Sequence, residues 1–143
     1  MTMTLKDISG KMQTIDFCML STKTANGELA SRPMSNNGDV EYDGDSWFFA
    51  YETAAFVGEI ANDPKVGLTF SAGKSLLGRP GIFISVSGEA SLIRDKGEFA
   101  AHWVDDLERW FPDGIETRGM IMLKVHAKHI HYWDGEDQGE VQI

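Results

Sequence analysis

The pattern of apolar and polar residues predicts a sheet-rich protein with a few short helices. Apolar residues at three- and four-residue spacing between Leu5 and Ile15 are typical of an amphipathic helix. Alternate residues are apolar over 65–71, which is typical of a strand with one buried face. Further strands are predicted at 16–23, 29–35, 41–51, 81–93 and 119–133. The last of these is apolar on both faces at its start, so its first half is predicted to be buried on both sides.

Turn residues connect these strands into hairpins. Asn26-Gly27 is a strong hairpin signal, and Asp43-Gly44 precedes the aromatic strand around Trp47. Ser87-Gly88 inside a long strand predicts a bulge or bend. Pro33 has no N–H to donate, so its strand is predicted to lie at an edge or to be interrupted there. Two interpretations remain open: Pro33 protects an exposed edge, or it leaves backbone groups available to a ligand.

Two more helices follow from capping signals. Thr53 has the chemistry of an N-cap for a helix over 54–61, which Asp63-Pro64 would end. Asp95 resembles a second N-cap, followed at Glu98 by the acidic partner of a capping box. A single helical stripe is predicted from there, formed by Phe99, Trp103, Leu107 and Trp110.

These elements predict an α+β protein with a mainly antiparallel, barrel-like sheet, folded as one domain over 1–143. The acidic, Gly-containing tail 134–143 is predicted to be loose. Cys18 is the only cysteine, so no internal disulfide forms, and its apolar neighbours favour a small core residue. The chain has no eighteen-residue apolar run, so no membrane span is predicted, and a cytoplasmic location is expected.

The net charge of −9 argues against a nucleic-acid surface, because phosphate backbones bind basic patches. A small phosphorylated ligand remains compatible, since one local cation and a helix N-terminus suffice. Arg32 and the helix start at Thr53 are candidates. Their structural alternatives, an exposed edge charge and a stabilising strand–turn–helix, are favoured on spacing alone.

Chemical motifs are sparse. No nucleophile triad, dinucleotide fingerprint or phosphate-binding P-loop sequence occurs. His129 and His131 share one strand face with His126 on the other, and we interpret them as surface or interface histidines rather than metal ligands. Trp110 at the end of the predicted stripe is by default a core residue. The two adjacent aromatics of Trp110-Phe111-Pro112, where the predicted helix ends, are also typical of packing against a partner chain or a planar ligand.

The order of several short motifs resembles the general stress protein 26 family, part of the pyridoxamine 5′-phosphate oxidase-like, FMN-binding split barrels. The resemblance extends over about 8–134. It is carried by SRPM at 31–34, YDGDSWFF at 42–49, NDPKV at 62–66, SVSGEA at 85–90, WFP at 110–112 and YWD at 132–134.

This resemblance implies a six-stranded antiparallel split β-barrel that forms a homodimer with FMN at the interface. Arg32 is expected to reach the flavin phosphate, and Trp110 to come from the partner subunit and cover the ring. The helix start is expected to face the phosphate. The cofactor-binding residues implied are Arg32, Pro33, Met34, Phe49, Ala50, Tyr51, Thr53, Ala54 and Trp110.

The sequence departs from this family in two places. Family members usually carry Ser-x-Lys at the helix start, where this chain has Ala54-Ala55-Phe56. Either FMN binds more weakly for lack of a charge-assisted contact, or Phe56 fills the phosphate pocket. The C-terminal 129–143 is acidic and lacks the basic substrate motif of true oxidases, so oxidation of vitamin B6 phosphates is not expected.

The resemblance implies a flavin-binding protein of stress type, acting as a flavin-dependent oxidoreductase or flavin reductase on an unknown small redox substrate. FMN is the expected cofactor and FAD an alternative. A non-catalytic module that senses flavin or haem, or a degenerate barrel without flavin, is the competing hypothesis. No catalytic residue is assigned.

Overall fold

A computed structural model describes residues 2–36 and 41–143 of the chain. Three α-helices are present within these ranges: α1 Leu5–Met12, α2 Ala55–Asn62 and α3 Lys96–His102. The seven strands are β1 Phe17–Lys23, β2 Leu29–Ser35, β3 Asp45–Tyr51, β4 Lys65–Ser71, β5 Phe83–Ile93, β6 Met120–Asp134 and β7 Asp137–Val141. Two 3₁₀ helices cover Asp105–Arg109 and Gly114–Glu116.

All strand pairs are antiparallel and belong to one sheet, in the order β2-β1-β4-β5-β6-β3. The fifteen-residue β6 pairs with β3 along its first half and with β7 along its second. The end strands β2 and β3 do not pair with each other, so the barrel remains split. The predicted α+β class and the predicted split barrel are confirmed.

The main core lies inside the curved sheet, where α1 and α2 cover it. Alternate residues of β4 are buried there, as the pattern over 65–71 predicts. Ile8 of α1 and Ile60 of α2 pack into the same core. Burying such a side chain contributes about 1.5–3 kcal/mol, so the apolar stripes hold both helices to the sheet.

A second, smaller core lies on the other side of β3 and β6. It consists of Phe49, Phe99, Phe111, Met120 and Met122. The start of β6 is therefore buried on both faces, as predicted.

The predicted turns and bulge are confirmed. Gly27 has φ 79° in the turn between β1 and β2, a conformation that favours glycine. The register of β5 against β6 shifts at Ser87/Gly88, where a Cβ on Gly88 would overlap the carbonyl group of His126. Pro33 lies in the end strand β2 opposite Met19, so the predicted edge position is confirmed.

The predicted cap of α2 is wrong by one residue. Ala54 is the N-cap, without a side-chain hydrogen bond, and the helix begins at Ala55. The Ala54 N–H donates to the Tyr51 carbonyl at 2.9 Å, which makes a turn of the segment containing Thr53. Ala54 remains extended, with ψ 139°, so helical geometry starts one residue later than predicted. The end of the helix, just before Asp63-Pro64, is confirmed.

The single helix predicted after Asp95 is also wrong. The Asp95 carboxylate caps α3 by accepting from the Gly97 N–H, but the helix ends at His102. Trp103 is extended, with φ −72° and ψ 138°, and its ring packs edge-on against Phe49 at 5.4 Å. Packing of this aromatic ring outweighs the helical periodicity, and the chain resumes as a 3₁₀ helix.

The tail is ordered rather than loose. Residues Asp137–Val141 form β7 against β6, and the Val141 side chain is buried. Gly135, with φ 64°, makes the tight turn between the two strands.

Two predicted strand starts are early, because β3 begins at Asp45 and β5 at Phe83. No helix in the described part of the chain is long and apolar enough to cross a membrane.

Candidate functional site

A cleft of ≈ 780 Å³ opens where the barrel fails to close. Arg32, Pro33 and Met34 of β2 line one wall, and residues of β3 line the opposite wall. Among the residues that the structure describes, the two end strands lack a strand partner on these sides, because β2 and β3 do not pair. The split in the sheet therefore creates the cleft.

Aromatic rings form a large part of the cleft lining. The Tyr51 and Phe111 ring centroids lie 4.9 Å apart, and the Tyr51 hydroxyl donates to the Trp110 carbonyl at 3.3 Å. The Trp110 ring is half exposed at the mouth, with the Arg109 guanidinium 5.8 Å from its centroid. The cleft is thus lined by flat, apolar surfaces of the kind that accept a planar ligand.

Arg32 is the one lysine or arginine among the described residues that line the cleft. Its Nη1 donates to the Leu20 carbonyl at 3.1 Å and to Thr22 Oγ1 at 2.9 Å. Its Nη2 forms an ion pair with Glu59 Oε1 at 3.4 Å, and Thr22 Oγ1 donates to the same oxygen at 2.7 Å. The guanidinium carbon lies 5.0 Å from the centroid of the Phe56 ring.

Burial lowers the pKa of Arg32, and the negative charge of Glu59 opposes that shift. An arginine side chain starts from such a high pKa that it remains charged at neutral pH. The site therefore holds a permanent cation whose charge is largely matched by a carboxylate within the protein.

Eight of the nine predicted site residues meet at this cleft. They are Arg32, Pro33, Met34, Phe49, Ala50, Tyr51, Ala54 and Trp110. Thr53 is the exception, since it does not line the cleft and does not cap α2. Trp110 lies at the cleft of its own chain. The roles of these residues in binding remain predictions.

Sequence reasoning missed several contributors. Phe17 and Asp16 reach the cleft from the start of β1, and His102 lies there stacked on Trp47 with ring centroids 3.6 Å apart. Glu59 was also missed, because its partner Arg32 is 27 residues away and no local spacing reveals the ion pair. No sequence signal identifies these contacts.

The histidines predicted as surface residues lie away from the cleft. His129 Nδ1 is 3.2 Å from Glu140 Oε1, and His131 Nε2 is 3.9 Å from the other oxygen. His126 Nδ1 is 2.7 Å from Asp45. In the part of the chain that the structure describes, no group of three or more His, Cys, Asp or Glu residues is arranged to hold a metal ion.

The lone cysteine is a core residue. Cys18 is buried in the main core, and burial raises the pKa of its thiol to about 12. The thiol therefore remains protonated at neutral pH and is a poor nucleophile.

The fold and the cleft together define a split-barrel protein with a candidate ligand site between its two end strands. The family model for "pyridoxamine 5′-phosphate oxidase like" proteins matches residues 4–143. The chain belongs to this family, which confirms the predicted resemblance. No curated protein matches the chain.

Solved structures share the fold at low sequence identity. A Clostridium acetobutylicum protein related to general stress protein 26 is 18% identical, with TM-score 0.80 and coverage of 97% of this chain and 94% of its own. A pyridoxamine 5′-phosphate oxidase-related, FMN-binding protein from Nostoc punctiforme is 18% identical, with TM-score 0.66 and coverage of 87% and 78%. A heme-binding protein from Mycobacterium smegmatis is 13% identical, with TM-score 0.76 and coverage of 98% and 58%.

Proposed function

We propose that the chain binds a flavin in the cleft between β2 and β3 and acts as a homodimeric, cytoplasmic oxidoreductase or flavin reductase. The observation that carries the proposal is the cleft itself. It has the volume of a cofactor site, and its described lining combines several aromatic rings with one arginine. An FMN-binding neighbour shares the fold, which supports the same assignment.

The lining residues fit the ring system of a flavin. The isoalloxazine would lie along Pro33 and Met34, with Tyr51 and Trp110 near its edge. Aromatic side chains stack favourably on such rings, by about 0.5–1.5 kcal/mol beyond the area that they bury. A bound flavin would supply the electron-transfer chemistry, while the protein residues hold the ring and exclude water.

The homodimer is supported by the outer face of the sheet. Phe17, Met19, Phe83 and Trp133 are large apolar side chains, roughly half exposed, on the outward side of their strands. Phe83 and Trp133 are cross-strand partners, so they form one contiguous patch. Phe17 also lines the cleft. A second copy docked on this face would cover the patch and complete one side of the site.

A direct test is to titrate purified apoprotein with FMN, FAD and haem. Quenching of flavin fluorescence and a shifted flavin absorbance spectrum are expected on addition of FMN. Arg32→Ala should weaken flavin binding, and Lys128→Ala, which removes an exposed cation paired with Glu89, is the matched control. A protein that binds no flavin at micromolar concentration would contradict the proposal. Light scattering reports the dimer in the same samples.

A second candidate, a haem-binding or haem-sensing module, is favoured by one neighbour and by the pair His129 and His131. Both imidazoles point from the outer face of β6 and are at least half exposed. A Soret band that disappears when both histidines are replaced would support this candidate over the flavin. A colourless protein that ignores both ligands would indicate a degenerate barrel.

A further inference from the structure

In the part of the cleft around Arg32, the positive charge of the guanidinium is already balanced by the Glu59 carboxylate. The Arg32 and Glu59 side chains are only 21% and 18% exposed, and their ion pair is shielded from solvent. Thr22 bridges the two by accepting from Arg32 and donating to Glu59. A ligand phosphate near Arg32 would be attracted by the guanidinium and repelled by the Glu59 carboxylate. Its net electrostatic attraction to this part of the cleft is therefore small.

Helix α2 supplies two of the groups that contact the guanidinium, and β1 supplies the others. Phe56 and Glu59 are three residues apart, so they lie on the same side of the helix. One offers its ring face 5.0 Å from the guanidinium carbon, and the other offers its carboxylate. Three of the five N–H donors of Arg32 are engaged within the protein. The remaining donors suit the hydroxyl oxygens of a polyol.

The rest of the cleft adds no positive charge. Among the described residues that line it, Arg32 is the only lysine or arginine. Asp106 lies at the rim in an exposed pair with Arg109, at 3.3 Å. Asp16 also lines the cleft and has no ion pair among the described residues. A phosphate monoester carries roughly −1.5 to −2 charge at neutral pH, so it enters a site with no net cation to receive it.

We infer that this cleft accepts a flavin with an uncharged side chain, of the riboflavin class, about as well as FMN. This inference rests on the proposed function, since it concerns which flavin the same site selects. Ring stacking and polyol hydrogen bonds supply the affinity, and the terminal phosphate adds little.

The test compares riboflavin and FMN on the full-length apoprotein by fluorescence titration at physiological salt. The readout is the ratio of the two dissociation constants, because changes in ring binding cancel in it. For the unmodified protein we expect the two constants to agree within about tenfold. A phosphate held by free charge-assisted hydrogen bonds would give a ratio of roughly a hundred or more.

Substitutions at Glu59 and Phe56 test whether these residues cause the weak preference for FMN over riboflavin. Glu59→Gln keeps an acceptor for Thr22 and Arg32 but removes the counter-charge, so FMN should bind about tenfold more tightly while riboflavin changes little. Phe56→Lys adds a cation and should raise the FMN preference in the same direction. Glu89→Gln is the matched control, since it makes the same change in net charge at an exposed site paired with Lys128.

Each outcome decides the matter. Similar constants for the two flavins, with an FMN preference that appears in Glu59→Gln and Phe56→Lys but not in Glu89→Gln, support the inference. A strong FMN preference in the unmodified protein overturns it and leaves the proposed function intact. Variants that never gain the preference also overturn it, because Glu59 is then not its cause. Binding of neither flavin overturns the proposed function, and the inference with it.

Discussion

The Arg32–Glu59 pair makes a prediction about stability that does not depend on any ligand. Arg32→Ala removes three hydrogen bonds and leaves the mostly buried Glu59 carboxylate with Thr22 as its remaining partner. Leaving a buried charge without its counter-ion is expensive, so we expect the free energy of unfolding to fall by roughly 2–3 kcal/mol. For a chain of this size that corresponds to a melting temperature lower by about 5–10 °C.

A double-mutant cycle isolates the interaction. In the background of Glu59→Gln, Arg32→Ala no longer exposes an uncompensated charge, so its cost should be smaller by about 1–2 kcal/mol. Urea denaturation of the four proteins measures this coupling. Lys128→Ala removes one member of an exposed pair and should cost less than about 1 kcal/mol. Costs for Arg32 and Glu59 that add within about 0.5 kcal/mol would refute the pairing and the reasoning built on it.

Three further substitutions test other parts of the fold by thermal and urea denaturation. Gly88→Ala should destabilise the protein by roughly 1–3 kcal/mol, because its Cβ would overlap the His126 carbonyl. Gly10→Ala, which has open space around it, should stabilise α1 by about 0.5–1 kcal/mol. Equal effects of the two substitutions on stability would be inconsistent with a bulge at Gly88. Val141→Ala should cost roughly 1–2 kcal/mol if β7 is docked, and nothing if the tail is loose. The buried Tyr42 hydroxyl has no hydrogen-bond partner in the described structure, so Tyr42→Phe should leave stability unchanged or raise it by up to about 1 kcal/mol, and a marked loss would reveal a missing partner.

Local signals predicted most of the sheet, because the residues that set it act on their immediate neighbours. Asn26-Gly27 fixes the first hairpin, and the missing N–H of Pro33 confines β2 to an end of the sheet. The Asp134-Gly135 dipeptide is a signal of the same kind, and the turn into β7 shows that it outweighs the acidic composition of the tail.

The broken helix after Asp95 and the missed Arg32–Glu59 contact share one cause, which is packing between residues distant in sequence. Trp103 leaves the helix because its ring packs edge-on against Phe49, more than fifty residues earlier in the chain. The candidate site follows the same rule. Its residues on β2 and β3 could be listed from the family resemblance, but the contact of Arg32 with Glu59 depends on how α2 packs against the sheet. No periodicity reports such a contact.

The split in the barrel links the fold to the proposed chemistry. If β2 and β3 paired, Pro33 would interrupt the ladder and the space between the strands would be filled by side chains. Because they remain apart, the cleft is lined by the two end strands β2 and β3, by the start of α2 and by the segment that contains Trp110 and Phe111. We therefore expect residues of α2 to determine which ligand that volume accepts. In this chain Phe56 and Glu59 contact Arg32 instead of adding a second cation, so we expect selectivity for a charged cofactor to depend on two side chains of a single helix turn.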